Sequence, residues 1–181
     1  MDFLNIYDRH FAKVYNYVRY CVKFPADADD VTGKVFEAAL EKLETYDAAR
    51  GPVQVWLFGI ARNAVLDWFR ARKRRGEVFL DDLPERAGAE PRIEAALEKK
   101  EETGRLLEAM AELDDRSRDI IALKFSSGMT NRDIAQLTGL GESNVGLIIY
   151  RAVKKLQARL GGGPRTLAAA PAEKVRGGEK T

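Results

Sequence analysis

The chain has almost none of the side chains on which most enzymes and metal proteins depend. Its 181 residues include one cysteine and one histidine. These two residues are too few for a disulfide framework or an ordinary zinc site. With a single histidine and a single cysteine, neither a Ser-His-Asp nor a Cys-His catalytic arrangement is convincing. A phosphate-binding loop is also absent, because Gly161–Gly163 precedes a proline rather than a GK[ST] helix. The sequence therefore predicts a binding protein rather than an enzyme, with no metal, no cofactor and no small-molecule substrate.

Long apolar runs are missing as well. No stretch approaches the roughly 20 consecutive apolar residues that a transmembrane helix needs. The N-terminus is charged and aromatic from its first residues, which does not fit a signal peptide. We therefore expect a cytoplasmic protein.

The two scarce residue types both fall in the first amphipathic segment. Cys21 continues a helical apolar stripe formed by Tyr7, Phe11, Val14 and Val18, so we expect it in a hydrophobic core. His10 lies outside that stripe and has no nearby partner. We therefore expect it at the surface.

Strand signals are nearly absent, whereas helical periodicity runs along most of the chain. The predicted fold is all-α, with two small helical domains joined by a flexible acidic linker, the second ending in a helix-turn-helix. The predicted parts are a first domain at 1–75, a linker at 76–97, a second domain at 98–160 and a disordered tail at 161–181.

The first domain is predicted to contain three helices. The first spans residues 3–24 and is stopped by Pro25, and Asp27 is a plausible N-cap for the second. The third begins after the break at Gly51-Pro52. In the second helix the inward-facing residues are predicted to be Val31, Val35, Phe36, Ala39, Leu40 and Leu43.

The third helix, residues 52–75, combines aromatic and basic side chains. Aromatic pairs at its start and middle are followed by five basic residues among the last six. Rings can stack on unpaired bases and cations hold phosphates, so this composition favours contact with nucleic acid. The alternative is a core helix with a solvated basic end.

The second domain ends in a pattern typical of a helix-turn-helix. Residues 115–127 predict one helix, and Thr130–Asp133 resembles a capping box at the start of a short helix. A glycine-containing turn at 138–141 leads into a longer helix over 142–160. The second helix of such a pair enters the DNA major groove. A plain helical packing unit is the alternative.

Charge is strongly segregated although the net charge is only +2. Residues 25–50 carry seven acidic and three basic residues (net −4), and residues 51–75 carry six basic and one acidic (net +5). Residues 76–97 carry six acidic and two basic residues (net −4), and residues 113–160 carry eight basic and five acidic (net +3). Each block can therefore meet a different partner surface.

The order of these parts resembles the extracytoplasmic-function group of bacterial RNA polymerase sigma factors, which keep only the second and fourth sigma domains. The coverage is about residues 3–75 and 98–160. Four stretches carry the resemblance: DADDVTGKVF (27–36), VWLFGIARN (55–63), LDDRSRDII (113–121) and GMTNRDIA (128–135).

For the first domain, the resemblance implies a surface for core polymerase and one for opened DNA. The polymerase clamp helices would contact Asp29, Asp30, Val31 and Phe36. Asn63 and the loop before Trp56 would handle the single-stranded, non-template minus-ten element. The basic side chains would hold phosphates, at Arg62, Arg70, Arg72, Lys73, Arg74 and Arg75. The acidic linker either threads a basic channel that otherwise holds RNA or is a passive tether.

For the second domain, the resemblance implies contact with the polymerase flap and with the duplex minus-thirty-five element. The candidate DNA-binding residues are Arg132, Glu142, Ser143, Asn144, Leu147, Arg151, Lys154 and Lys155. The sequence departs from the family pattern at Gly33, Lys34, Gly146, Leu147 and Ile148. Leu147 and Ile148 either touch thymine methyl groups or pack against a protein partner such as an anti-sigma factor.

The resemblance predicts a protein that binds core RNA polymerase and directs promoter recognition and DNA opening. Two alternatives remain at this point. A stand-alone helix-turn-helix regulator would bind duplex DNA without polymerase. A decoy would occupy polymerase or a sigma partner without opening DNA.

Overall fold

The computed structural model describes residues 2–22, 24–75 and 94–161, and this part of the chain is all-α. It contains seven α-helices and two short 3₁₀ turns, and no strand occurs in those ranges. The helices are α1 Phe3–Cys21, α2 Pro25–Glu41, α3 Val53–Arg74, α4 Glu94–Ala111, α5 Asp115–Ser127, α6 Asn131–Thr138 and α7 Glu142–Arg159, with 3₁₀ turns at Leu43–Thr45 and Ala48–Arg50.

The boundary between α1 and α2 differs from the prediction. Helix α1 ends at Cys21, and α2 begins at Pro25 with Phe24 as its N-cap, so Asp27 is not the cap. Proline is favoured in the first helical position because that position has no intrahelical amide bond to lose. Asp27 instead lies in the first turn, where a carboxylate interacts favourably with the helix dipole.

In the first half of α1 the buried positions lie one residue earlier than predicted. The buried residues are Ile6, His10, Val14, Tyr17, Val18 and Cys21. Cys21 is therefore in the core as predicted, but the surface position predicted for His10 is wrong. Burial, followed by the charges of Lys13 and Arg9, lowers the pKa of His10 from its ordinary value.

The inward face of α2 is narrower than predicted. Val31, Val35, Phe36 and Ala39 are buried as expected. Leu40 is 55% exposed, which contradicts its predicted core position. Position 40 follows the buried Ala39 directly, and neighbouring residues of a helix point about 100° apart.

Local capping signals explain the helices of the second domain. Thr130 Oγ1 accepts from the amide of Asp133 and the Asp133 carboxylate accepts from the amide of Thr130, which completes the predicted capping box. Gly128 and Gly139 end α5 and α6 in the left-handed conformation that favours glycine. The predicted helix-turn-helix is formed by α6, the turn after it, and α7.

The linker between the two domains ends earlier than predicted. Helix α4 begins at Glu94, so the last four residues of the linker predicted at 76–97 are helical. Residues 76–93 lie outside the described residues. The predicted tail at 161–181 also lies outside them, apart from Gly161.

The two halves of the chain are packed against each other. Helix α1 lies along α5 and also contacts α4, while α3 contacts α5 and α6. One hydrophobic core runs through both halves, from Val14 and Phe58 to Ile120 and Leu156. Within the C-terminal half, the Arg118 guanidinium donates to the carbonyls of Met110 and Ala111 at the end of α4 and of Leu113 just after it.

Candidate nucleic-acid interface

Helix α3 presents one outward stripe of side chains. Trp56, Asn63, Arg70 and Arg74 are spaced by seven, seven and four residues, which places them on the same face of a helix. Asn63, Arg70 and Arg74 are exposed and Trp56 is half-buried. The structure therefore brings together four of the eight predicted residues of this helix.

The turn before α3 is organised around Trp56. The rings of Tyr46 and Trp56 pack with their centroids 5.4 Å apart, and the Tyr46 hydroxyl donates to the Gly51 carbonyl at 3.0 Å. Gly51 has φ +145°, a conformation that side-chain-bearing residues rarely adopt. The segment that leads into α3 is thus held in a defined position beside the half-buried indole.

The basic end of α3 is not uniform. Lys73, Arg74 and Arg75 are exposed. The exposed Arg70 pairs with Asp67 at 2.8 Å, one turn earlier in the same helix. These four side chains form the positive surface at the end of the stripe.

Arg72 has a different environment from its neighbours. Its side chain is only 16% exposed and bonds to Asp27 at 3.4 Å. Its guanidinium also lies 5.3 Å from the ring centre of Phe24 and 5.0 Å from that of Trp68. Arg72 therefore ties the end of α3 to the start of α2, whereas the sequence predicted that it would face phosphates.

Arg62 also points away from the outward stripe. Its Nε donates to Asp119 Oδ2 at 2.7 Å, across the boundary between the two halves. The second oxygen of that carboxylate accepts from the Tyr17 hydroxyl at 2.8 Å. Burial is the largest cause that raises the pKa of Tyr17 well above its ordinary value, so the hydroxyl stays protonated as a donor. In this conformation Arg62 does not face solvent as the sequence predicted.

The four predicted polymerase-binding residues of α2 fall into an exposed pair and a buried pair. Asp29 and Asp30 are exposed, but Val31 and Phe36 are buried. The Phe36 ring packs edge-on against Tyr7, with centroids 4.8 Å apart. Val31 and Phe36 therefore support the helix from inside, which corrects the prediction that they would face a partner.

An exposed apolar area beside α2 was not assigned by sequence reasoning. Tyr7 and Phe11 on α1 are each more than a third exposed, and Leu40 on α2 is exposed as well. The rings of Tyr7 and Phe11 pack against each other and against the buried Phe36. The four-residue spacing of the aromatic residues on α1 was the available signal.

All eight predicted residues of the helix-turn-helix are exposed. Asn144, Leu147 and Arg151 follow a spacing of three and four residues on α7, so they share one face. Lys155 donates to the Glu112 carbonyl at 2.6 Å, which directs it towards the end of α4. Sequence reasoning missed Tyr150, which is exposed and whose ring centre lies 5.8 Å from Lys154 Nζ.

The departure at Ile148 has a packing explanation, whereas the one at Gly146 has none in the structure. A Cβ atom at Gly146 would lie 3.5 Å from the Asn131 side chain of α6, which is an ordinary van der Waals distance. Ile148 is half-buried against the core. Leu147, in contrast, is 45% exposed.

The described residues contain no group of three or more His, Cys, Asp or Glu side chains that could hold a metal ion. Among the same residues, no helix combines the length and the apolar character needed to cross a membrane.

Comparison with known proteins identifies both halves. Residues 6–75 match the family described as Sigma-70 region 2, and residues 103–156 match Sigma-70, region 4. RNA polymerase sigma factor CnrH of Cupriavidus metallidurans is 35% identical over 141 residues, which is 74% of this chain and 73% of CnrH. ECF RNA polymerase sigma factor BldN of Streptomyces coelicolor is 30% identical over 158 residues, or 87% of this chain, and the match spans 60% of BldN.

Solved structures agree with this assignment. CnrH in complex with the cytosolic domain of CnrY aligns over 88% of this chain and 87% of that chain, with a TM-score of 0.62 and 29% identity. The sigma factor RpoE from Bartonella quintana, in complex with the anti-sigma factor NepR, covers 88% of this chain and 97% of that chain; its TM-score of 0.72 at 20% identity shows the shared fold. The chain belongs to the sigma-70 family, within the extracytoplasmic-function group of sigma factors.

Proposed function

We propose that this sigma factor binds core RNA polymerase in the cytoplasm and directs it to one class of promoters. The observation that carries the proposal is the pairing, in one chain, of the outward stripe of α3 with the exposed helix-turn-helix of α6 and α7. One surface suits unpaired bases and phosphates, and the other suits duplex DNA. The protein contributes binding and positioning, and the polymerase contributes the chemistry.

Polymerase docking is assigned to the acidic face of α2. Asp29 and Asp30 are exposed there, next to the apolar area of Tyr7, Phe11 and Leu40. Acidic side chains repel DNA, so this face suits a protein partner such as the clamp helices. The C-terminal domain would contact the flap of the same polymerase.

DNA opening is assigned to the outward stripe of α3. Extracting a base from the duplex costs a few kcal/mol, which stacking and pocket contacts recover. Asn63 offers an amide that can donate to and accept from a base edge, and Trp56 offers a half-buried indole ring. Lys73, Arg74 and Arg75 would hold the phosphates of the same strand.

Recognition of the upstream duplex is assigned to α7. Ser143, Asn144 and Arg151 are exposed and can form hydrogen bonds to base edges or phosphates. Leu147 can contact a thymine methyl group. Arg132 on α6, together with Lys154 on α7, would position the helix on the backbone.

Regulation by an anti-sigma factor is also proposed. CnrH was solved with the cytosolic domain of CnrY, and RpoE with the anti-sigma factor NepR. An anti-sigma protein for this chain would cover surfaces that otherwise meet polymerase or promoter DNA.

The decisive experiment adds the purified protein to core RNA polymerase and a library of promoter fragments. We expect a pull-down of core enzyme, run-off transcripts from one promoter class, and permanganate-reactive thymines near the minus-ten element. Absence of core binding would overturn the proposal. Binding of duplex DNA without polymerase would indicate a stand-alone regulator, and core binding without permanganate reactivity would indicate a decoy.

Replacement of Asn63 tests the assigned opening surface. We expect Asn63→Ala to reduce the equilibrium for promoter opening about tenfold, equivalent to about 1.4 kcal/mol, with little change in closed-complex affinity. Permanganate reactivity measures opening, and a gel-shift assay at low temperature measures closed-complex binding. Asn16→Ala, an exposed asparagine on α1, is the matched control. Equal losses in both steps would contradict the role given to Asn63.

A further inference from the structure

The boundary between the two halves is built around a buried polar cluster. The Asp119 carboxylate of α5 accepts from the Tyr17 hydroxyl at 2.8 Å and from Arg62 Nε at 2.7 Å. Tyr17 is fully buried, and the Arg62 and Asp119 side chains are 24% and 16% exposed. Both carboxylate oxygens are therefore satisfied by groups from the other half of the chain.

The same face of α3 makes two more contacts with the C-terminal half. Gln54 Nε2 donates to the Ser127 carbonyl at 2.5 Å. A Cβ atom at Gly59 would lie 3.4 Å from the Leu137 side chain of α6. Helix α3, which carries the proposed DNA-opening residues, is thus held along one side by the domain that carries the helix-turn-helix.

This packed arrangement is incompatible with simultaneous contact at both promoter elements. Elements centred near positions −10 and −35 are about 25 base pairs apart, or about 85 Å along B-DNA at about 3.4 Å per base pair. A folded body of about 160 residues has a radius of gyration of only about 15 Å. The two halves must therefore separate before each can reach its own element.

We propose that Tyr17, Asp119 and Arg62 form a latch that holds the free protein closed, and that the latch opens when the protein engages polymerase. This inference rests on the proposed sigma function. Opening releases Arg62 from Asp119, so the guanidinium becomes available to a DNA phosphate on the helix that also carries Asn63. Arg62 thus exchanges an internal carboxylate for an external phosphate.

The energetic scale suits a switch. A hydrogen bond to a charged group changes an equilibrium by about ten- to a hundredfold. Loss of one such bond would thus raise the open population measurably without unfolding either half. If polymerase binds only the open form, its apparent affinity scales with the open fraction.

Cys21 provides a native probe of opening. It is 5% exposed and lines the same cavity as Tyr17, Arg62 and Asp119. Burial, followed by the charge of Asp119, raises the pKa of its thiol, so the closed form reacts slowly with thiol reagents. Separation of the two halves would expose the thiol to solvent.

The test measures the rate of Cys21 modification by iodoacetamide in the full-length protein, by mass spectrometry of the peptide that contains it. We expect modification about tenfold faster in Tyr17→Phe and in Asp119→Asn than in the wild type. Core polymerase affinity should rise by up to the same factor. Glu112→Gln, which removes an exposed partner of Arg159 within the C-terminal half, should change neither quantity.

Two results would overturn the latch. Equal Cys21 rates in the wild type and both variants would show that the cluster does not hold the halves together. Faster modification with unchanged polymerase affinity would show that closure does not limit binding. If circular dichroism shows that the Tyr17→Phe variant is misfolded, the Asp119→Asn variant alone provides the test. Failure of the wild type to bind polymerase would refute the sigma function, whereas the rates in free protein would still test the latch.

Discussion

Replacement of Lys73, Arg74 and Arg75 by glutamine is expected to weaken promoter binding about a hundredfold at 0.15 M salt. These three side chains are exposed at the C-terminal end of α3, and Arg74 belongs to the same outward stripe as Asn63. Each cation that neutralises a phosphate releases counterions. Three lost contacts should therefore lower the slope of log affinity against log salt by about two to three. The loss should shrink towards 1 M salt.

The measurement is promoter affinity of the reconstituted polymerase complex at several salt concentrations. The control for net charge is a second triple variant that removes three exposed charges elsewhere, Arg9→Gln, Lys13→Gln and Arg105→Gln. Equal salt slopes for the two triple variants would contradict the role given to the end of α3. A uniform loss across promoter sequences is expected, because phosphate contacts position the protein without specifying bases.

Helix boundaries were most predictable where the signals are local. The capping box of Thr130 and Asp133 and the glycines that end α5 and α6 lie within a few residues of the boundaries they determine. The start of α2 was less predictable because Pro25 both interrupts one helix and suits the first position of the next. Asp27 was a second candidate for the start of α2, but the helix begins two residues earlier, at Pro25.

Burial on α1 depended on a distant partner. Helix α1 is covered on one side by α2 and α3 and on another by α5, from the opposite half of the chain. Tyr17 and His10 are buried in this arrangement, while Tyr7 and Phe11 remain partly exposed. Periodicity identifies an apolar face, but it does not specify which of two partners will cover the neighbouring positions.

The arginines of α3 show what a closer use of helical spacing could have added. Arg62 lies four residues after the buried Phe58, and Arg72 lies seven after the buried Val65. Both positions fall near the inner face, so their separation from Asn63 and Arg74 was predictable from the period of 3.6 residues. Their partners were not, because Asp119 lies 57 residues from Arg62 and Asp27 lies 45 from Arg72.

Truncation of Phe58 should have the largest effect on the stability of the N-terminal domain. Phe58 is fully buried, and its ring packs edge-on against Tyr17 with centroids 5.6 Å apart. Removal of a buried phenyl ring typically costs about 3–5 kcal/mol, through lost transfer energy and the cavity left behind. Total stabilities are only about 5–15 kcal/mol, so Phe58→Ala should leave the domain marginally stable.

Urea denaturation of the full-length protein, followed by tryptophan fluorescence, measures this loss selectively. Both tryptophans, Trp56 and Trp68, belong to α3, so the signal reports on the helix that carries Phe58. Leu40→Ala is the control, because Leu40 lies in the same domain but is exposed. This substitution should change the free energy of unfolding by no more than about 0.5 kcal/mol. A loss below about 1 kcal/mol in Phe58→Ala would contradict the assigned core. Since the same ring supports Tyr17, we also expect faster modification of Cys21 in this variant, which would link the packing of α3 to closure of the two halves.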